Sequence, residues 1–307
     1  RLPAAPAAAP PPAERRAPTL QREVQAGAQA VEPTQLLSNG RYHVALRANG
    51  AGHSRRGTVG ITRSRDDALR DEYGSFLYLR PAAGGPLVSL TQHPAPDAAA
   101  HYSGAFHADR VCLAATWPEL QTRITVWVSP EDDIEFRQVE LRNLGTHTLD
   151  LELISAFDVT LADSRADEAH PAFSNLFVRA EWRPAAQALV FERTPRLATE
   201  RGLHAAHFIT ECEPDVVALR GQTDRAHWLG RNRAAAHPQA TLRALPATPS
   251  ALSLDTALDT GLDPVCVLAV RLIVPPGGRA RLTFATAACD DGVTLRAVID
   301  KYRQPGR

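Results

Sequence analysis

Three stretches of this 307-residue chain carry residue types that could do chemistry. Glu131, Asp132 and Asp133 place carboxyls side by side, and glycoside chemistry needs two of them about 5–10 Å apart. Neighbouring turn residues diverge into solvent, so the expected reading is a solvated hairpin turn with ordinary acidities. Residues 62–74 interleave Arg63, Arg65 and Arg70 with Asp66, Asp67, Asp71 and Glu72, and end at Tyr73 and Gly74. Arg63, Asp67, Arg70 and Asp71 could hydrogen-bond sugar hydroxyls, with Tyr73 as a stacking face. The same mixture could equally be an internal salt-bridge network that fixes an irregular loop. His170, followed by Pro171, comes after the acidic residues 163–168. It is either a proton shuttle or a turn residue bonded to backbone.

The remaining chemistry-bearing residues form no metal or cofactor pattern, and no cofactor is expected. Asp255, Asp259 and Asp263 recur every four residues without the second acidic layer of a calcium loop. His43, His53, His93, His101 and His107 share no ligand spacing. Trp117, Trp127, Trp182 and Trp228 could include a sugar platform, although Trp127 and Trp182 stand in strand patterns and read as core. No GxGxxG, GxxxxGK[ST], HExxH or GxSxG motif is present, which argues against the commonest nucleotide, metalloprotease and hydrolase sites.

Composition narrows the class further. Lysine plus arginine equals aspartate plus glutamate, 34 against 34, and the pI is near 7.3. A neutral chain has no global field to draw nucleic acid or an anionic membrane. Cys112, Cys212, Cys266 and Cys289 form no CxxC pair and read as reduced core residues. No apolar stretch reaches the roughly 18 residues of a membrane span. The chain contains no methionine and starts at Arg1, so it is expected to be a soluble fragment of something longer.

The elements that must position these residues are mostly strands. Residues 1–33 are rich in Ala and Pro and read as a linker, with the domain following over 34–307. Period-two alternation runs through 120–129 and 149–159. Residues 134–143 change phase, which predicts a bulge near Arg137; an acidic turn at 130–133 joins them to 120–129. Further strands are expected at 42–47, 57–63, 76–80, 87–91, 176–182, 188–193 and 204–209, and a helical turn at 66–72. Residues 265–274 are almost continuously apolar, as in a central strand covered on both faces, and pair with 279–287. One helix is predicted over 290–303, capped by Asp290 or Asp291, with Val293, Leu295, Val298, Ile299 and Tyr302 as its apolar stripe. The pattern is an all-β, large antiparallel sandwich with one C-terminal helix.

Leu36-Leu37-Ser38-Asn39-Gly40-Arg41-Tyr42, Ser54-Arg55, Thr62-Arg63, Arg70-Asp71 and Tyr78-Leu79-Arg80 resemble the β-supersandwich region of cyclic β-1,2-glucan synthases. Ser129 to Asp133, His170 to Ser174, Thr223-Asp224-Arg225, Leu262-Asp263-Pro264 and Asp300 to Arg303 continue the resemblance in order, over about residues 36–303. That region is similar to the N-terminal sandwich of glycoside hydrolase family 94 phosphorylases, with a galactose-mutarotase-like fold. The resemblance places the catalytic acid in a helical barrel that this chain lacks, so no catalytic residue carries over. It implies a non-catalytic module of a large protein at the cytoplasmic face of a bacterial inner membrane. Such a module would bind β-1,2-glucan or a glucooligosaccharide, or would organise neighbouring domains of the same polypeptide. Arg41, Tyr42, Arg55 and His170 then join Arg63, Asp67, Arg70, Asp71 and Tyr73 as expected sugar contacts. Family members usually carry aromatics near positions 53, 56, 64 and 73, where His53, Arg56, Ser64 and Tyr73 stand here; most of any stacking platform is therefore missing. Two alternatives are a structural scaffold without sugar affinity and a mutarotase-type enzyme using His170 with Asp167 or Glu168.

Overall fold

The computed structural model describes residues 21–27, 31–65, 72–195, 202–213, 216–239 and 257–304. The first strands are β1 (Gln21–Val24), β2 (Thr34–Ser38), β3 (Tyr42–Arg47), β4 (Gly52–Arg56), β5 (Val59–Thr62), β6 (Phe76–Pro81) and β7 (Val88–Ser89). β8 (His101–His107), β9 (Val111–Thr116), β10 (Leu120–Val128), β11 (Ile134–Asn143) and β12 (Leu149–Asp163) lead to α1 (Ser164–Ala169) and α2 (Pro171–Asn175). β13 (Val178–Arg183), β14 (Ala188–Arg193), β15 (His204–Glu213) and β16 (Ala218–Asp224) precede α3 (Arg225–Leu229). β17 (Ala257–Leu258), β18 (Pro264–Val274), β19 (Arg279–Cys289) and α4 (Gly292–Tyr302) complete the described elements.

The strands form two large antiparallel sheets. The ten-stranded sheet runs β1-β8-β9-β10-β11-β19-β15-β14-β13-β17, and the nine-stranded sheet runs β16-β18-β12-β5-β4-β3-β2, with β6 paired to β12 and β7 to β6. Their facing sides enclose a core that includes Tyr42, Val126, Val139, Leu153, Trp182, Phe191, Leu268 and Phe284. β18 is covered on both sides, as its apolar run predicts. Leu268, Val270 and Leu272 enter that core, while Val265, Val267 and Ala269 pack with Trp228 on the outer side. Trp182 and Trp228 are thus both buried.

Three expectations need correction. Gln21–Val24, inside the segment read as linker, is the edge strand of the larger sheet. Val24 fills the notch left by Gly104 opposite it, where a Cβ would come within 3.1 Å of Val24 Cγ2. No bulge occurs near Arg137, because the β10–β11 and β11–β19 registers are continuous there. The apparent phase change in β11 is an exchange of faces. Ile134 and Phe136 lie on the outer side beneath α4, whereas Val139 and Leu141 lie in the core between the sheets. Finally, Val293 of α4 is 81% exposed; the buried stripe is Leu295, Val298 and Ile299. Positions 295, 298, 299 and 302 fall on one face at helical spacing and 293 does not. The turn expected at 66–72 lies almost wholly outside the described residues.

Asp291 caps α4 by accepting from the N–H groups of Val293 at 2.9 Å and Thr294 at 2.8 Å. Leu295→Ala is expected to cost about 2–5 kcal/mol in urea unfolding, whereas Val293→Ala should stay within about 0.5 kcal/mol of the parent. Equal effects would show that the helix does not pack as described.

Candidate functional site: an open polar groove on the larger sheet

The outer face of the ten-stranded sheet changes character along its strands. At one end α4 covers Ile134, Phe136, Ala206, Phe208, Ala285 and Ala287. Beyond the helix the same face turns polar. β11 continues through Gln138 to Glu140 and Arg142, β10 from Thr125 to Arg123 and Gln121, and β19 back through Thr283 to Arg281 and Arg279. Nothing in the described residues covers this end, which forms an open groove of about 1070 Å³.

Register sets the pattern of its floor. Glu213, Arg281, Glu140, Arg123, Ala114 and Ser103 are successive cross-strand partners from β15 to β8. Arg279, Arg142, Gln121, Thr116 and His101 form the adjacent row. Each step across strands is about 4.8 Å. Arg281 bonds Glu211 at 2.9 Å and lies 3.5 Å from Glu213, and Arg123 reaches Cys112 Sγ at 3.6 Å. The side chains of Gln121, Glu140, Arg142 and Arg279 make no hydrogen bond or ion pair among the described residues. Planar donors and acceptors held in alternation on a rigid sheet suit hydroxyl-rich ligands, because each hydroxyl both donates and accepts.

The residues singled out from sequence lie elsewhere. Arg63 is buried and saturated: it bonds Asp167 at 3.1 Å, Asp263 at 3.1 Å, Asp158 at 3.3 Å and Asn175 at 2.8 Å. Arg225 closes the same network on Asp158 at 2.9 Å. Tyr42 is buried between the sheets, where its hydroxyl donates to Glu135 at 3.2 Å. Burial and the Glu135 charge hold that phenol well above its usual range. Arg41 extends over the hairpin turn to Asp133 at 2.9 Å. Asp67, Arg70 and Asp71 lie outside the described residues.

Among the described candidates, only Arg55 and Tyr73 are brought together in one hollow. They line a smaller hollow of about 320 Å³ with Arg47, His53 and Arg65. Arg65 lies 6.0 Å from the Tyr73 ring centre, and Arg55 donates to Ser164 at 3.3 Å. His170 joins α1 to α2, with its N–H on Ala166 and its carbonyl receiving Ser174 N–H. Its ring bonds neither Glu168 nor Asp167, and Asp167 is engaged by Arg63. The turn at 130–133 is less solvated than expected. Asp133 is buried between Arg41 and Arg56, and Asp132 receives Lys301 at 2.6 Å and Tyr302 at 2.8 Å. Burial would raise the pKa of the Asp132 carboxyl, but those two donors and the nearby Lys301 and Arg41 charges outweigh it, so the pKa ends below the usual carboxylate range.

Sequence reasoning missed the groove because its residues are scattered between positions 21 and 281. The available signal was the exposed phase of β10 and β11, where Gln121, Arg123, Glu140 and Arg142 alternate with core residues.

One polar cluster is sealed between the sheets. Glu135 accepts from Arg137 at 2.9 Å, and Arg137 also donates to the Ser75 carbonyl at 3.0 Å. His207 lies near them, stacked on Phe284 at 5.5 Å, with Nδ1 bonded to Thr286 at 2.9 Å and Nε2 unpartnered. Burial first, and the Arg137 charge second, push the imidazole down to about 3.

Two large antiparallel sheets, of ten and nine strands, packed over one core place the domain in the class of large β-sandwiches. A family model described as glycosyl hydrolase 94, supersandwich domain, matches residues 21–305, and the chain belongs to that family. The cyclic β-(1,2)-glucan synthase NdvB of Rhizobium meliloti (strain 1021) is 31% identical over 272 residues, which are 89% of this chain and 9% of that protein. The chain therefore spans less than a tenth of that relative. A bacterial glucoamylase crystallised with acarbose superposes with a TM-score of 0.50 at 6% identity, over 92% of this chain and 38% of the other. A galactose mutarotase related enzyme from Lactobacillus acidophilus gives a TM-score of 0.40 at 11% identity, over 84% of this chain and 97% of its own. No helix among the described residues is long and apolar enough to cross a membrane.

Two consequences can be measured. Arg63→Ala is expected to cost about 3–5 kcal/mol in chemical unfolding, because it strands buried carboxylates. His207 binds its proton near 6.5 when unfolded and near 3 when folded. Its contribution is therefore present above pH 6.5 and is lost as pH falls toward 3, with a slope up to about 1.4 kcal/mol per pH unit. His207→Gln should flatten that part of the stability profile, and an unchanged slope would exclude this residue as its source.

Proposed function

We propose that the domain is a non-catalytic, carbohydrate-associated module of a cyclic β-1,2-glucan synthase, and that its groove holds glucan. The observation that carries the reading is the contrast between two sets of polar residues. Arg63, Tyr42 and Asp167 are buried and consumed by internal partners, whereas Gln121, Glu140, Arg142 and Arg279 line an open groove with their hydrogen-bonding capacity unspent. The name of the synthase relative supplies the glucan. The rows of floor residues cross the strands, so a chain laid along them meets a new polar side chain about every 4.8 Å. The parent protein would contribute the catalytic domains and the inner-membrane anchorage, and this module would present glucan to them.

A scaffold without sugar affinity is the second reading. The saturated Arg63 network favours it, because residues of a sugar site would keep some donors free.

Titration with neutral β-1,2-glucooligosaccharides, followed by calorimetry or amide chemical shifts, separates the two. Saturable binding is expected, with Arg123→Ala and Glu140→Gln each weakening it about tenfold, the worth of one hydrogen bond to a charged group. Arg55→Ala and Tyr73→Ala should leave it unchanged. No saturable signal at millimolar sugar would leave the scaffold standing.

A further inference from the structure

Arg142 and Arg279 are direct cross-strand partners between β11 and β19. Side chains directly opposite in an antiparallel pair have Cβ atoms about 4.5–5.5 Å apart, and like charges there are destabilising. Neither guanidinium has a hydrogen bond or ion pair among the described residues. Other arginines do find carboxylates: Arg63 has three, Arg56 meets Asp133 and Asp290, and on the groove floor itself Arg281 meets Glu211 and Glu213. Glu140 stands one row away on the same floor and pairs with neither Arg142 nor Arg279. Both arginines line the groove, and Gln121, the cross-strand partner of Arg142, adds an amide donor beside them.

Two exposed arginines that are direct partners across adjacent strands can close on a tetrahedral or planar oxyanion, which takes parallel N–H bonds from each. We infer that this end of the groove is an oxyanion subsite, which takes a phosphate-class group borne on a carbohydrate or free in solution. The placement of the sugar rests on the groove reading; the anion site rests on the arginine pair alone. An oxyanion bound between the two arginines would offset the like-charge repulsion expected of direct cross-strand partners.

The test compares three probes at constant ionic strength: inorganic phosphate, glucose 6-phosphate and a neutral β-1,2-glucooligosaccharide. Amide shifts are followed in the parent, in Arg142→Gln, in Arg279→Gln, in the double variant, and in Arg110→Gln as an exposed control from the β8–β9 turn. Glucose 6-phosphate is expected to bind saturably and to lose at least tenfold in affinity in the double variant, with no loss in Arg110→Gln. Binding tighter than inorganic phosphate marks a sugar-borne anion, and equal binding marks free phosphate. Each single variant should also unfold at a slightly higher temperature than the parent without added anion. Absence of saturable binding by both phosphate probes, or binding unaltered in the double variant, overturns the subsite, as does a lower unfolding temperature in both single variants. If neutral oligosaccharide fails while phosphate binds, the glucan reading falls and the anion site stands. The reverse result removes the anion site alone.

Discussion

A single buried carboxylate, Glu135, couples the two sheets. It belongs to the ten-stranded sheet, yet Tyr42 and Ser54 of the nine-stranded sheet both donate to one of its oxygens, while Arg137 of its own strand takes the other. An unpaired carboxylate in this position would carry a penalty of several kcal/mol. With all these donors in place it instead specifies how the sheets meet, since sliding one past the other would strand the charge. Neighbouring contacts repeat the pattern at the rim. Asn39 donates to the carbonyls of Ser129 and Asp132 at 2.9 Å, and Arg41 and Arg56 converge on Asp133. The β2–β3 turn and the end of β4 are therefore clamped onto the β10–β11 turn.

That clamp sets the geometry of everything on the other face. With the turn end of β10 and β11 fixed, α4 follows β19 back across it. Tyr302 bonds Asp132 and packs on Phe136 at 5.1 Å, and Trp127 stacks on the same ring at 5.1 Å. The helix is only long enough to cover this end. The far end of each strand keeps the same outward phase but faces solvent, so polar side chains replace apolar ones there. Groove and helix-covered core are two stretches of one surface.

Arginine serves two ends in this chain. Where the charge is buried it is matched, as at Arg63 with its three aspartates and Arg80 with the fully buried Glu152. On the groove floor Arg142 and Arg279 are left open, while Arg281 stays paired with Glu211 and Glu213. Local charge density in the sequence therefore does not lead to the open groove. The dense run from Arg63 onward begins an internal network, whereas the groove collects one or two charges from each of several strands.

Much of the fold follows from the chain's own periodicities. Alternation in 120–128 and 134–143, the apolar run of β18, and the 295–298–299–302 spacing of α4 are local, because they reflect which face of a single element is buried. The Glu131–Asp133 turn is likewise legible from its turn chemistry. What local pattern could not show is which of two buried faces a residue joins: Ile134 and Phe136 go under the helix and Val139 and Leu141 between the sheets, which looks like a bulge from sequence alone. Nor could it show the edge strand at Gln21–Val24, whose place depends on the notch at Gly104 far along the chain. The groove lay further out of reach. Its rows exist only through the register of β15, β19, β11, β10, β9 and β8, and register is a property of strand pairing, which brings together residues that spacing along the chain keeps apart.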